Sequence, residues 1–226
     1  YDHWPVNNNA EVCAPSEELM AGCVFLGQGY VFSRLRLFNC FINLSGGGNV
    51  TPTPTPCKHG LVSRWGVCVA LDGIYFVSND GMYKTSGGIE VSCTDDDLFP
   101  LFRGETSHGY LPIDFTQPEA IRLEAHQNEI WFLYRDTGGT NRVLGYSIIY
   151  QFWRFYHFGR ELSSIHSEQE TPENALLVMG GRASNFGYTH LGTTDDGLAI
   201  TGQIRTGSLD QGNRRAEKAY GDIVLD

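Results

Sequence analysis

Ala120-Ile121-Arg122-Leu123-Glu124-Ala125-His126, followed by Gln127-Asn128-Glu129 and Ile130-Trp131-Phe132-Leu133-Tyr134, decides the fold class. The first seven residues alternate. Ile121, Leu123 and Ala125 share one face and Arg122, Glu124 and His126 the other, the period of a half-buried strand. Gln127 to Glu129 read as a polar turn, and Ile130 to Tyr134 are apolar on both faces, as in a central strand. Outward from this hairpin, Val143 to Tyr146 and Trp153 to His157 predict two more short strands. The first is entered through Asp136-Thr137-Gly138-Gly139-Thr140-Asn141, whose glycines can supply a positive φ. The simplest account is an antiparallel meander of four strands.

Composition agrees. The chain has 226 residues, 41% hydrophobic, 12% aromatic and 19% charged, so it lies far from the polar, highly charged regime that fails to collapse. Its 27 Gly and 9 Pro fall between short aromatic and β-branched runs. Similar apolar cores recur at Cys23-Val24-Phe25-Leu26, Gly73-Ile74-Tyr75-Phe76-Val77 and Ala175-Leu176-Leu177-Val178-Met179. With Phe25, Phe76, Phe132 and Val178 as markers, the spacing approximates the 40 to 50 residues of a four-stranded propeller blade. The expected fold is all-β and β-propeller-like, with antiparallel four-stranded blades. Four repeats stand at the low end for a closed ring, so an incomplete ring finished by more chain or by a partner is the alternative.

Helix signals are few. Ser16-Glu17-Glu18-Leu19-Met20 predicts a turn or two, and Thr94-Asp95-Asp96-Asp97-Leu98-Phe99 a capped first turn with Thr94 as N-cap. Ser45 to Pro56, with Thr and Pro alternating from Thr51, has no apolar face and reads as an extended surface loop, or less simply as a strap for a partner. The sequons Asn43-Leu44-Ser45 and Asn49-Val50-Thr51 flank it. The predicted organisation is a Cys-containing region at 1–60, with the Thr/Pro loop at 45–56, forming the first blade, and further blades of the same propeller at 61–226.

Lys plus Arg number 16 and Asp plus Glu 26, a net charge of −10 that disfavours a nucleic-acid backbone or an anionic membrane as main partner. The aromatic run Tyr146 to Phe158 is interrupted by Gln151, Arg154 and His157, short of the roughly 20 apolar residues of a spanning helix. Tyr1-Asp2-His3-Trp4-Pro5 has no feature of a secretion signal, as expected of a processed start or a piece of a longer chain. Six cysteines, Cys13, Cys23, Cys40, Cys57, Cys68 and Cys93, include no Cys-x-x-Cys. Buried free thiols are the first expectation, and a Cys40–Cys57 disulfide across the Thr/Pro loop the alternative.

Reactive constellations are not indicated. No Gly-x-Ser-x-Gly elbow, phosphate-binding glycine loop or His-x-x-x-His pair occurs. The histidines at 3, 59, 108, 126, 157, 166 and 190 read as surface or strand-face residues. Asp95-Asp96-Asp97 could offer hard oxygens to calcium, but suits a helix start better. Thr194-Asp195-Asp196-Gly197 resembles the Asp-box turn of sialidase-like propellers, a structural hairpin. Asp80, Asp136 and Asp196 are the carboxylates from which a glycosidase pair could be drawn. No catalytic, cofactor or metal residue is assigned.

Asp72-Gly73-Ile74-Tyr75-Phe76-Val77-Ser78-Asn79-Asp80-Gly81-Met82-Tyr83-Lys84-Thr85-Ser86-Gly87-Gly88 resembles the repeated unit of tailed-bacteriophage propeller proteins, virion components of the head-to-tail junction or tail, also called phage stabilisation proteins. The acidic connector Thr94 to Phe102 is similar to theirs. So are Tyr150-Gln151-Phe152-Trp153-Arg154, as a blade strand ending in a core Trp, and Gly202 to Asp210 with Asn213-Arg214-Arg215 and Lys218. The resemblance covers residues 60–226; the first 60 depart from it. It implies a non-enzymatic structural part of a phage tail or head-to-tail connector, assembled in the host cytoplasm and located in the virion. It further implies multiple copies docked to portal, adaptor or tail proteins, without sequence-specific nucleic acid, membrane, metal or cofactor. Trp4, Trp65, Arg103 and Arg154 are the expected anchors, with burial the plainer reading for each Trp. The runner-up function is a carbohydrate-binding or sialidase-like propeller that recognises a host glycan.

Overall fold

The computed structural model describes residues 11–43, 49–158, 161–169, 175–181, 187–189, 194–195 and 198–199. The chain divides into two compact units, residues 1–191 and 192–226. The described part of the second is a hairpin of Thr194–Asp195 with Leu198–Ala199. That places Asp195 of the Asp-box sequence on a strand, while Asp196, the Gly202 to Lys218 segment, Trp4, His3 and His190 lie outside the described residues.

The first unit is all-β. Three antiparallel four-stranded meanders follow one another: β1 (Leu19–Phe25), β2 (Gln28–Ser33), β3 (Leu37–Asn43) and β4 (Asn49–Pro54), then β5 (Val67–Ala70), β6 (Gly73–Val77), β7 (Met82–Thr85) and β8 (Val91–Ser92), then β9 (Arg122–His126), β10 (Glu129–Arg135), β11 (Asn141–Ser147) and β12 (Trp153–Tyr156). A three-stranded sheet of β13 (Leu162–Gln169), β14 (Ala175–Gly181) and β15 (Gly187–Thr189) comes last. The Ala120 to Tyr146 reading holds: β10 lies between β9 and β11, and Gln127 turns the chain at φ 53°.

Alternation on the central strands explains how the sheets stack. Ile74 and Phe76 of β6 pack toward the first sheet with Phe32 and Leu37, while Tyr75 and Val77 pack toward the third with Phe132 and Tyr146. Ile130, Phe132 and Tyr134 of β10 face back to the second sheet, and Trp131 and Leu133 face Leu177 and Met179 of the fourth. A strand covered on both faces needs an unbroken apolar run, which is why these two read that way. Each fully buried Phe or Leu contributes roughly 1.5–3 kcal/mol. The first strands are also neighbours in order, β1 beside β5, β5 beside β9 and β9 beside β13.

Five local expectations are corrected. Phe25 is not the counterpart of Phe76 and Phe132, because it ends β1 while they sit on second strands; Phe32 of β2 is, and it meets the Phe76 ring at 4.9 Å. Ser16 to Met20 form no helix, since Leu19 and Met20 already belong to β1. Thr94 does not cap a helix: its Oγ1 accepts from the Met82 N–H at 2.9 Å, extending the β7–β8 edge. Asp95 closes the turn instead, accepting from Leu98 N at 2.9 Å, and the helix α1 runs only from Phe99 to Phe102. The Thr/Pro segment is a strand from Asn49 to Pro54. Thr55 donates to the Leu37 carbonyl at 2.9 Å, so the period-2 repeat turns Thr51 and Thr53 toward β3 and leaves Pro52 and Pro54, which lack an N–H, on the outer edge. The Trp153 to His157 strand holds, and it is the resemblance that is corrected: buried Trp153 opens β12 where the blade strand of the resemblance would end in it.

Candidate functional site

A groove of about 290 Å³ lies between the second and third sheets of the first unit. Asp72 in the β5–β6 turn, Tyr75 on β6 and Lys84 on β7 form its polar corner. Lys84 Nζ lies 2.5 Å from Asp72 Oδ2, and the Tyr75 hydroxyl donates to both Asp72 oxygens at 3.1 Å. Tyr146 on β11 closes the other wall, its ring 6.2 Å from Tyr75, and Cys93 sits at the base with its carbonyl accepting from Trp153 Nε1 at 2.8 Å. Burial, with the Asp72 carboxylate next, raises the Tyr75 phenol well above its ordinary value. Burial likewise pushes the Cys93 thiol to about 11. Both stay protonated at physiological pH, so they present hydrogen-bonding groups beside the Lys84–Asp72 pair.

A second cluster joins the first strands of the third and fourth sheets. His126 Nδ1 and Ser167 Oγ are 2.9 Å apart, and Glu124 Oε1 accepts from the Ser167 N–H at 2.9 Å while facing His166 Nδ1 at 3.6 Å. Glu124 is thus committed to the Ser167 backbone, and the arrangement ties β9 to β13. His126 is 8% exposed, so of its two expected positions it takes the strand face: β13 lies against the polar face of β9.

Of the carboxylates named from sequence as a glycosidase pair, Asp80 and Asp136 are described, and each meets its own partner. Asp80, in the β6–β7 turn, lies 3.3 Å from His59 Nε2, whose Nδ1 meets Glu90 Oε1 at 2.5 Å with the ring stacked on Tyr83. Asp136, in the β10–β11 turn, is fully buried and pairs through Oδ2 with Arg142 Nε at 2.7 Å while Oδ1 accepts from Thr140 N at 2.9 Å. The two belong to turns of different sheets; Asp136 holds its own turn, while Asp80 meets the connector between β4 and β5. In the acidic run, Asp95 bonds the backbone and Asp97 pairs with His108 at 2.9 Å. No group of three metal-capable side chains gathers among the described residues. All six cysteines are free; Cys57 lies in the core between the first two sheets and Cys40 is not part of it.

Of the expected anchors, Trp65, Arg103 and Arg154 are exposed, whereas Trp131 and Trp153 are buried. Arg122 lies over the Trp65 ring at 5.4 Å, Arg103 over Phe99 at 4.0 Å and Arg154 over Phe152 at 5.0 Å. Sequence reading missed the Asp72, Tyr75 and Lys84 corner. Its one local signal is the three-residue step from Asp72 to Tyr75 across a two-residue turn; the approach of Tyr146 comes from another sheet and leaves no trace in the sequence.

No protein-family model matches the chain, and no curated protein is similar to it.

Proposed function

We propose that the protein is a non-enzymatic structural component of a phage virion, a propeller-like part of the tail or head-to-tail connector that docks to neighbouring virion proteins through its turn-bearing faces. The observation that carries this reading is the order of first strands, β1 beside β5, β5 beside β9 and β9 beside β13. Meanders whose first strands are successive neighbours and whose central strands are covered on both faces are the parts of a radial fan, and the propeller is the architecture that uses them. Ring closure, by the remainder of the chain or by a partner, belongs to the same proposal.

Two further features support it. The outer edge of the first sheet is blunted by Pro52 and Pro54, and β8 is only two residues long, so strand addition at these edges is discouraged and contacts fall to the turns. Among the described residues, Asp80 pairs with His59 and Asp136 with Arg142, so both of these carboxylates have partners within the fold. The sequence resemblance to phage stabilisation proteins supplies the virion part of the reading.

Cross-linking mass spectrometry on purified phage particles tests it. The expected result is a set of cross-links from this chain to portal, adaptor or tail proteins. Absence of the chain from particles would overturn the reading, and so would saturable binding or cleavage of host surface polysaccharide by the purified protein.

A further inference from the structure

The turns joining first to second and third to fourth strands share one end of the three meanders. Tyr30 of β2 donates to the Ser86 carbonyl in the β7–β8 turn at 3.5 Å, which aligns the first and second sheets. The groove that brings Asp72 and Ile89 together with Ile148 and Gln151 aligns the second and third.

This end carries the most exposed apolar side chains described. Leu71 is 96% exposed, Leu26 85%, Ile89 75%, Tyr150 72% and Ile149 60%, each at or beside a turn tip. Burial in the fold explains none of them. Leu26 also holds a left-handed φ of 49°, a conformation that costs a branched side chain roughly 1–2 kcal/mol and that Asn or Gly would take more readily. An apolar residue retained at a strained, exposed tip is better explained by a contact outside the chain. At the opposite end, by contrast, exposed Trp65 and Phe99 are each capped by a guanidinium, from Arg122 and Arg103.

Charge narrows the partner. The described basic groups at the turn end, Lys84 and Arg154, already face Asp72 and Glu129 at 2.5 and 3.5 Å, and exposed Glu168 near the end of β13 adds acid there. Within a chain of net charge −10, two copies of this end would meet acid to acid. We propose that the turn end docks a different protein, one that presents apolar sockets ringed by Lys and Arg. This inference rests on the assembly-part reading and adds which end binds and the chemistry of what it binds.

The test uses the native assembly purified through an affinity tag on the full chain, with hydroxyl-radical footprinting and carbodiimide cross-linking. Leu71, Ile89 and Tyr150 should be protected relative to the isolated chain, Leu35 and Trp65 should not, and Asp72 or Glu129 should cross-link to lysines of another polypeptide. The triple variant L71S/I89S/Y150S should keep the wild-type melting temperature yet enter the assembly at least about tenfold less, with L35S/W65S unaffected. Protection confined to Leu35 and Trp65, cross-links between two copies of this chain, or undiminished assembly of the triple variant would overturn the inference and leave the assembly reading standing. Protection at neither end would overturn both.

Discussion

Phe32 and Phe76 occupy the second strands of adjacent sheets, and their rings meet at 4.9 Å with the planes inclined by 48°. Neither is accessible to solvent, and Tyr83 extends the stack from Phe76 at 5.8 Å. The contact joins two sheets that share no backbone ladder, so their association depends on side chains of this kind. Phe76→Ala should therefore cost about 3–5 kcal/mol, more than a surface truncation such as Leu71→Ala, which should cost about 0.5 kcal/mol or less. Urea unfolding followed by tryptophan fluorescence measures both. Equal midpoints would remove Phe76 from the inter-sheet core.

Gly60, in the connector between β4 and β5, passes directly over the β2–β3 turn. A Cβ there would overlap the Arg34 carbonyl group and the Leu35 nitrogen, both backbone and unable to rotate away. Gly60→Ala should displace the connector, break the Leu61 N–H bond to the Ser33 carbonyl at 3.0 Å, and lower the midpoint by several degrees. Gly88→Ala, with open space around its Cβ, is the control and should melt within a degree or so of wild type.

These two sites mark where the sequence is informative and where it stops. The meander around Ile130 to Tyr134 was legible because strand period and two-sided burial are local properties of five consecutive residues. The recurrence across sheets was legible in outline only. Phe25 looked equivalent to Phe76 because both sit in apolar runs, yet Val24 and Leu26 beside Phe25 point into solvent. Nothing in a short apolar run tells a buried strand from an exposed turn that serves another surface. The Thr/Pro repeat misled for a related reason: proline marks extended backbone, and only the pairing with β3 makes that backbone a strand. The polar corner at Asp72 and the burial of His126 depend on side chains from neighbouring sheets, so no local pattern encodes them.

Among the described carboxylates named from sequence, Asp136 is the one that the fold buries completely, and both its oxygens are engaged, one by Arg142 and one by the Thr140 N–H. Arg142 also lies 5.0 Å from the Tyr110 ring. Asp136→Ala should cost about 3–5 kcal/mol, since it strands a guanidinium and a backbone N–H at once. Asp136→Asn keeps the acceptor for Thr140 and should cost less. Hydrogen exchange at the Thr140 amide separates the two variants: it should rise sharply in the first and little in the second.

Thiol chemistry offers a test of burial that needs no variant. Burial raises the Cys23 and Cys93 thiols to about 11, and the Cys57 thiol, in the core between the first two sheets, to about 12. At pH 8 the reactive thiolate is then scarce at all three. Iodoacetamide applied to the folded protein should leave these cysteines largely unmodified by peptide mass spectrometry, and denaturant should release all six. Rapid labelling of Cys57 in the native state would show that the first two sheets do not stay closed over it.

Glu90 and Glu124 are both partly buried acids, and their contributions to stability should run in opposite directions with pH. Burial raises the Glu90 carboxyl, but its own backbone N–H, the His59 ring and the Lys58 N–H outweigh that, so its folded pKa lies below the ordinary 4.5. Its contribution is then complete above pH 4.5 and is lost as pH falls through the folded value. Glu124 is raised above 4.5, because burial exceeds the help of the Ser167 N–H and His166. Folding favours its protonated form, so its charge weighs against stability at neutral pH and the penalty fades as pH drops through its folded pKa. Glu90→Gln should destabilise by about 1–3 kcal/mol at pH 7, with the gap to wild type closing in acid. Glu124→Gln should show its largest relative gain at pH 7 and converge on wild type in acid from the stable side. Urea midpoints between pH 3 and pH 7 test the pair together, and parallel curves for the two variants would contradict both assignments, because only opposite shifts of the two carboxyls bend them apart.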